Sequence, residues 1–299
     1  MTTETPSQRR LHHPAHSLAR GAFETWLDTD TAGWSFASLR VLSLGPDGSH
    51  TFDNADEEIL VVPLSGAASV TCGTSRVELT GRSGPLSGPT DSTYVPPGSR
   101  IELHSPGGGR FALAGARANG GHPFAYLPVE TVEVELRGRG ACSREVHNIC
   151  MPVNTDCDRL MVCEVVTPGG NWSSYPPHKH DEDRPGESVL EEIYYFEVGA
   201  GPSGAGFAYQ RVYGTPQRPV DLLAEVRSGD VVVVPHGWHG PSMAAVGYDL
   251  YYLNVMAGPG ERAWHACDDP DHAWVRETWE HQEVDARLPL PGSRSVGSR

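Results

Sequence analysis

Lysine is nearly missing from this sequence: of 23 basic residues only Lys179 is a lysine, most simply a coding bias toward arginine. Long apolar runs are absent too. No stretch reaches the roughly 18 apolar residues that a membrane helix needs, so a membrane partner is not expected. Cysteines are few and form no C-x-x-C pair. Six thiols in 299 residues do not make a disulfide scaffold, and the spacing of Cys150, Cys157 and Cys163 matches no zinc signature. Positive charge is in deficit: the net charge of −15 argues against a nucleic-acid or anionic-membrane surface. The segment Met1–Phe23 lacks the apolar stretch of a signal peptide. The expectation is a cytoplasmic protein whose His12, His13 and His16 lie in a solvated tail.

What the chain has in quantity is glycine and proline, 34 and 25 residues, too many for a helix bundle and too few for a low-complexity chain. Strand patterns dominate. Glu58–Pro63 reads as a buried strand, Ala67–Thr71 and Arg76–Thr80 alternate about a glycine turn, and Ser92–Val95, Arg100–His104 and Arg110–Ala114 follow. In the second half Leu160–Val166, Glu192–Val198, Gly206–Tyr213, Asp230–Val234 and Tyr248–Val255 repeat the theme. Short strands at such spacing predict a sandwich or barrel. The one helix expected is short, Asp271–Glu280, after Asp268-Asp-Pro270.

The halves correspond. Glu58 to Gly66 followed by Tyr94-Val-Pro-Pro-Gly98 mirrors Glu192 to Gly199 followed by Val233-Val-Pro-His-Gly237. Two repeats of one barrel fit the length. The domains expected are 1–125, without a metal site, and 126–299, with the metal and active site; Gly115–Gly140 is the crossover.

The residues that carry chemistry lie in the second half. Positions i and i+2 of a strand share a face, so His178 and His180 project together. Glu192 opens the next strand and His239 closes the turn that begins at Pro235. Imidazole and carboxylate ligands suit one divalent ion among Zn, Mn, Fe, Co and Ni. The first half has His50 and Glu58 but no His-x-His, and His104 comes too late, so that barrel is read as metal-free.

The order His178-x-His180, Glu192-x6-Gly199, Gly229-x5-Pro235-x-Gly237 and a final His239 resembles the cupin signature, with Glu192 preferred to Glu191 by its distance to Gly199. That resemblance implies an all-β bicupin: two double-stranded β-helix (jelly-roll) barrels with few short helices. Longer motifs resemble the 5-deoxy-glucuronate isomerase family of bacterial myo-inositol catabolism: Asn171-Trp-Ser-Ser-Tyr-Pro-Pro-His-Lys-His-Asp181, Leu190–Tyr195, Gly206–Tyr213, Gly247–Pro259 and Asp268–His272. The resemblance implies metal ligands at His178, His180, Glu192 and His239. It also implies an aldose–ketose shift of 5-deoxy-D-glucuronate to 5-dehydro-2-deoxy-D-gluconate. Phe196 stands where that family commonly has His.

Such a shift needs a group that moves a proton. Tyr194, Tyr251, Tyr252 and a displaced Glu192 are the candidates. The small deoxyuronate substrate carries a carboxylate, for which Arg211 is the expected clamp, with Gln210 a candidate for a hydroxyl. Gln210 and Arg211 point to opposite faces of one strand. Lys179 points away from the histidine face, toward solvent or an inter-subunit contact in a homo-oligomer. Two other functions use the same residues: a cupin dioxygenase with iron in this site, and a non-enzymatic sugar-binding bicupin.

Overall fold

Alternation of buried and exposed side chains along the chain becomes strand after strand in the computed structural model, which describes residues 11–293. Met1–Arg10 of the expected tail lies outside the described residues. Nine strands of the first half form one sheet: β1 (Phe23–Leu27), β2 (Ala37–Leu44), β3 (Gly48–Asp53), β4 (Glu57–Cys72), β5 (Ser75–Arg82), β6 (Ser92–Val95), β7 (Arg100–Ser105), β8 (Gly109–Arg117) and β9 (Ala125–Leu127). The 16-residue β4 holds this half together. Its first part pairs with β6 and β8, and its last part with β5 and β7. The change of direction falls at Gly66, with φ +83° and a position where any Cβ would sit 2.4 Å from the Gly108 carbonyl oxygen. Only glycine suits that bend.

The second half contributes β10 (Glu133–Arg137), β11 (Arg144–Cys150), β12 (Met161–Thr167), β13 (Glu191–Val198), β14 (Ala208–Tyr213), β15 (Asp221–Val226), β16 (Val231–Val234), β17 (Trp238–Ala244) and β18 (Leu250–Ala257). One antiparallel sheet runs β16-β13-β18-β12-β11-β10, with His12–His13 added at its β16 edge. A second runs β15-β14-β17, then His178–Lys179 and Cys267–Asp268. Strand β9 still pairs with β6 of the first half, so the chain passes from one set of sheets to the other between Leu127 and Glu133.

Three expectations change. His12 is no solvated residue: its ring is buried and its Nε2 lies 2.9 Å from Asp230 Oδ2, because the short strand it occupies covers β16; His16 does stay exposed. The segment expected as an α-helix is a 3₁₀ helix over Ala273–His281, with no side-chain cap at its start. Lys179 is buried rather than solvent-facing, donating to Asp181 and Glu187 at 2.7 Å each beneath the hairpin of Asp181–Arg184 and Glu187–Val189.

The β13-β18-β12-β11 sheet has two buried faces, hence its nearly unbroken apolar strands. One face joins Leu39, Val41, Leu60, Val62 and Ala114 of the first half in a single core. The other turns inward within the second half. Among the described residues no helix is long and apolar enough to cross a membrane.

Candidate metal centre and its cavity

Strand alternation decides what faces the interior of the second half. Glu135 and Arg137 of β10, Arg144 and Asn148 of β11, Glu192 and Tyr194 of β13, and Tyr252 and Asn254 of β18 line one cavity of about 350 Å³. Trp264, Asp268 and Arg276 from the C-terminal segment, His178 and Ser174, and Cys163 of β12 line it as well.

The Glu192 carboxylate is the hub at the inner end. Its Oε2 lies 2.9 Å from His180 Nε2 and 3.0 Å from His239 Nε2, and all three side chains are buried. His180, Glu192 and His239 each offer a ligand atom within 4.8 Å of the others. His178 stands beside them, its ring centroid 4.4 Å from that of His239 and 6.3 Å from that of His180. The register explains the meeting: His178 lies directly opposite His239 across neighbouring strands. The turn before His239 requires Gly237, with φ +89°, whose N–H donates to Asp181 at 2.9 Å.

Each imidazole is oriented by a backbone carbonyl. Nδ1 donates to Leu190 in His180 at 3.2 Å, to Gly237 in His239 at 3.2 Å and to Pro176 in His178 at 3.4 Å. These bonds favour the tautomers that carry the proton on Nδ1, while His180 Nε2 lies at hydrogen-bond distance, 2.9 Å, from Glu192 Oε2. A lone pair facing a carboxylate oxygen at about 3 Å is repulsive unless a proton or a cation lies between them. Accordingly His239 Nε2, although buried, makes no hydrogen bond. The residues present fit a divalent cation. Burial would raise the Glu192 carboxyl, but with protons on His239 and His180 in place of an ion their pull outweighs it and holds the group well below the usual carboxylate range. Burial, with His239 next to it, pushes His178 far below its ordinary value, so its imidazole is neutral.

The tyrosines separate by face. Tyr194 and Tyr252 line the cavity, and both hydroxyls meet Ser174 Oγ, at 3.2 and 3.1 Å. Tyr251 cannot serve there, because adjacent residues of a strand point to opposite faces. Its hydroxyl donates to Glu164 at 2.6 Å in the core between the halves. Glu191 likewise faces away from Glu192 and accepts the N–H groups of Ser35, Phe36 and Ala37.

The expected carboxylate clamp also lies elsewhere. Arg211 is on the outward face of β14, bound to Asp221 and to the Leu222 carbonyl. Gln210 points inward but is engaged by the Ser242 hydroxyl and is not on the cavity wall. The guanidinium groups that do line the cavity are Arg137, Arg144 and Arg276. Arg137 falls within Gly115–Gly140, the stretch read as the crossover, and Arg144 falls between it and the next expected strand, Leu160–Val166. The alternation Glu133-Val-Glu-Leu-Arg137 was the available signal for a strand with a charged face.

A model of the KduI/IolB family matches residues 11–275. The 5-deoxy-glucuronate isomerase of Geobacillus kaustophilus is 40% identical over 272 residues, which cover 90% of this chain and 96% of that protein. An IolB-like protein of Salmonella typhimurium LT2 superimposes with a TM-score of 0.82 at 34% identity, over 89% of this chain and 99% of the other. Oxalate decarboxylase of Lactobacillus farciminis, in its formate complex, matches with a TM-score of 0.61 over 94% of this chain and 98% of its own. At 13% identity that likeness concerns the fold alone, and the architecture is the bicupin expected from the resemblance to the cupin signature.

Proposed function

The chain belongs to the KduI/IolB family, and from that premise we propose that it isomerises 5-deoxy-D-glucuronate to 5-dehydro-2-deoxy-D-gluconate, a step of inositol breakdown, with one divalent ion bound. The observation that carries the metal is the buried His239 Nε2, 3.0 Å from Glu192 Oε2 and without a hydrogen bond. His178, His180, Glu192 and His239 would hold the ion. When bound, it supplies Lewis acidity that stabilises negative charge on the two oxygens that exchange roles.

The chain's own groups bind and orient the sugar. In the reaction the proton of the carbon beside the aldehyde passes to the aldehyde carbon and the hydroxyl proton passes from one oxygen to the other, so that hydroxyl and carbonyl change places. Burial, with the Glu192 charge added, pushes the Tyr194 phenol well above its ordinary value, and burial also raises Tyr252. Both phenols therefore keep their protons at neutral pH and act as donors to substrate oxygens. Ser174 Oγ orients the pair. The guanidinium groups of the wall favour an acid sugar over a neutral one.

The test is turnover of 5-deoxy-D-glucuronate by the metal-loaded protein without oxygen, followed by NMR. The ketose should form. A product that requires oxygen would support a dioxygenase instead, and a fully loaded protein that leaves the sugar unchanged would refute the isomerase.

A further inference from the structure

Three guanidinium groups share the cavity wall, and two already have counter-ions. Arg137 donates to both oxygens of Glu135, at 3.0 and 2.6 Å, and Arg276 is held by both oxygens of Asp268. Arg144 differs. It is 6% exposed, yet among the described residues no carboxylate lies within ion-pair distance of it. Its Nη1 donates to the carbonyls of Cys142 and Tyr175, at 3.1 and 3.4 Å, and its remaining N–H groups make no hydrogen bond among the described residues. Its guanidinium carbon sits 5.9 Å from the Trp279 ring centroid.

A buried cation without a counter-ion is costly, and folded proteins rarely retain one. Here the cost is increased by Arg137, which lies directly opposite Arg144 across β10 and β11; like charges in that relation repel. Burial, with Arg137 and Arg276 nearby, pulls the Arg144 guanidinium down to about 10, so it remains charged at neutral pH.

We propose that Arg144 binds the carboxylate of the substrate and sets the selectivity for acid sugars. An anion there would meet the unpaired N–H groups of Arg144 and relieve its repulsion with Arg137. The position is connected to the metal centre through three consecutive residues. The Tyr175 carbonyl accepts from Arg144, the Ser174 hydroxyl meets Tyr194 and Tyr252, and the Pro176 carbonyl orients His178. One end of an acid sugar is thereby fixed relative to the groups that act on the other. The identity of the substrate rests on the isomerase reading; the selectivity for a carboxylate does not.

The experiment is equilibrium binding of D-glucuronate and of its uncharged analogue D-glucuronamide to the metal-loaded protein, by calorimetry. The unaltered protein should prefer the acid by about tenfold or more, as a charge-assisted contact in place of a neutral one requires. Arg144→Met should abolish the preference at unchanged metal content, Arg144→Lys should restore part of it, and Arg211→Ala should keep it in full. Equal binding of acid and amide by the unaltered protein, or binding of neither, overturns the proposal. So does a preference that survives in Arg144→Met. If Arg144→Met does not fold, Arg144→Lys decides: a preference as strong as that of the unaltered protein overturns it, and a weakened one supports it. Preference for the acid without turnover of 5-deoxy-D-glucuronate would refute the isomerase and leave Arg144 in its role. Turnover with no loss of selectivity in Arg144→Met would do the reverse.

Discussion

Arg82 of the first half donates to Glu164 of the second at 3.0 Å, and both side chains are buried. His147 and Tyr251 complete the surroundings of that carboxylate, at 3.1 and 2.6 Å. Removing one partner of such a pair leaves an uncompensated buried charge. Arg82→Met should therefore lower the unfolding free energy by roughly 3 kcal/mol, toward the lower end for broken buried pairs because two other donors remain. The double variant Arg82→Met/Glu164→Gln should recover part of the loss. Urea unfolding of the unaltered protein, of Arg82→Met, of Glu164→Gln and of the double variant is the measurement, and additive losses would mean that the pair is not coupled.

The same network predicts the dependence of stability on pH. Burial alone would raise the Glu164 carboxyl, but Arg82 and then His147 outweigh it and hold it at about 2, below its ordinary 4.5. A depressed carboxyl contributes stability above pH 4.5 that is lost as pH falls toward 2. Burial opposes the charged form of His147, yet its bonds to Glu145 and Glu164 raise it above 6.5. A raised imidazole contributes fully below 6.5 and less as pH climbs through its folded value. Urea midpoints of the metal-loaded protein should be highest near pH 5–6 and fall on both sides. Arg82→Met should have a shallower acid limb, because Glu164 is then less depressed.

Much of this was legible in the chain, for reasons that particular residues show. Val231–Val234 could only be a buried strand, and the distance from Glu192 to Gly199 singled out Glu192 over Glu191 before any geometry. What could not be read was phase and cover. Tyr251 and Tyr252 are equally tyrosine; which one faces the cavity depends on how the first half's sheet packs against β18. Arg211 and Arg144 are both strand arginines; one lies on an outward face and the other on a wall formed only when five strands assemble. Lys179 is buried by a hairpin that follows it, a tertiary event its neighbours in sequence do not announce. Glu58 mirrors Glu192 in the repeat but serves the fold: it accepts the N–H groups of Asp158, Arg159 and Leu160 and the Tyr94 hydroxyl.

The Ser174 hydroxyl is within hydrogen-bond distance of both cavity phenols, and the residue sits at φ +47°. Ser174→Ala should lower kcat about fivefold to tenfold, the worth of roughly one hydrogen bond of about 1 kcal/mol, with metal content unchanged. Ser174→Gly removes the same hydroxyl while suiting the backbone. An equal loss in both variants assigns the effect to the hydroxyl; full activity in Ser174→Gly would assign it to the backbone instead.

His239 lies on β17 directly opposite His178 on the neighbouring strand, yet 61 positions away in sequence, so it closes the ligand set only after the sheets have formed. In His239→Ala, Glu192 keeps His180 as a neighbour, but the set loses a nitrogen whose lone pair has no other use. Elemental analysis should show a fall in bound metal, and isomerase activity should drop by orders of magnitude. The fold should survive with a similar melting temperature in the metal-free state, because the strands are held by apolar burial and not by the ion. His236 is the internal control. It belongs to the same turn, yet it is only partly buried and lies outside the cavity wall. Burial, with Arg218 nearby, shifts it below its ordinary value, so it carries no charge whose loss would disturb the site. His236→Ala should retain both metal and most activity. Loss of metal in His236→Ala with retention in His239→Ala would mean that the turn runs in another register and that the ligand assignment is wrong.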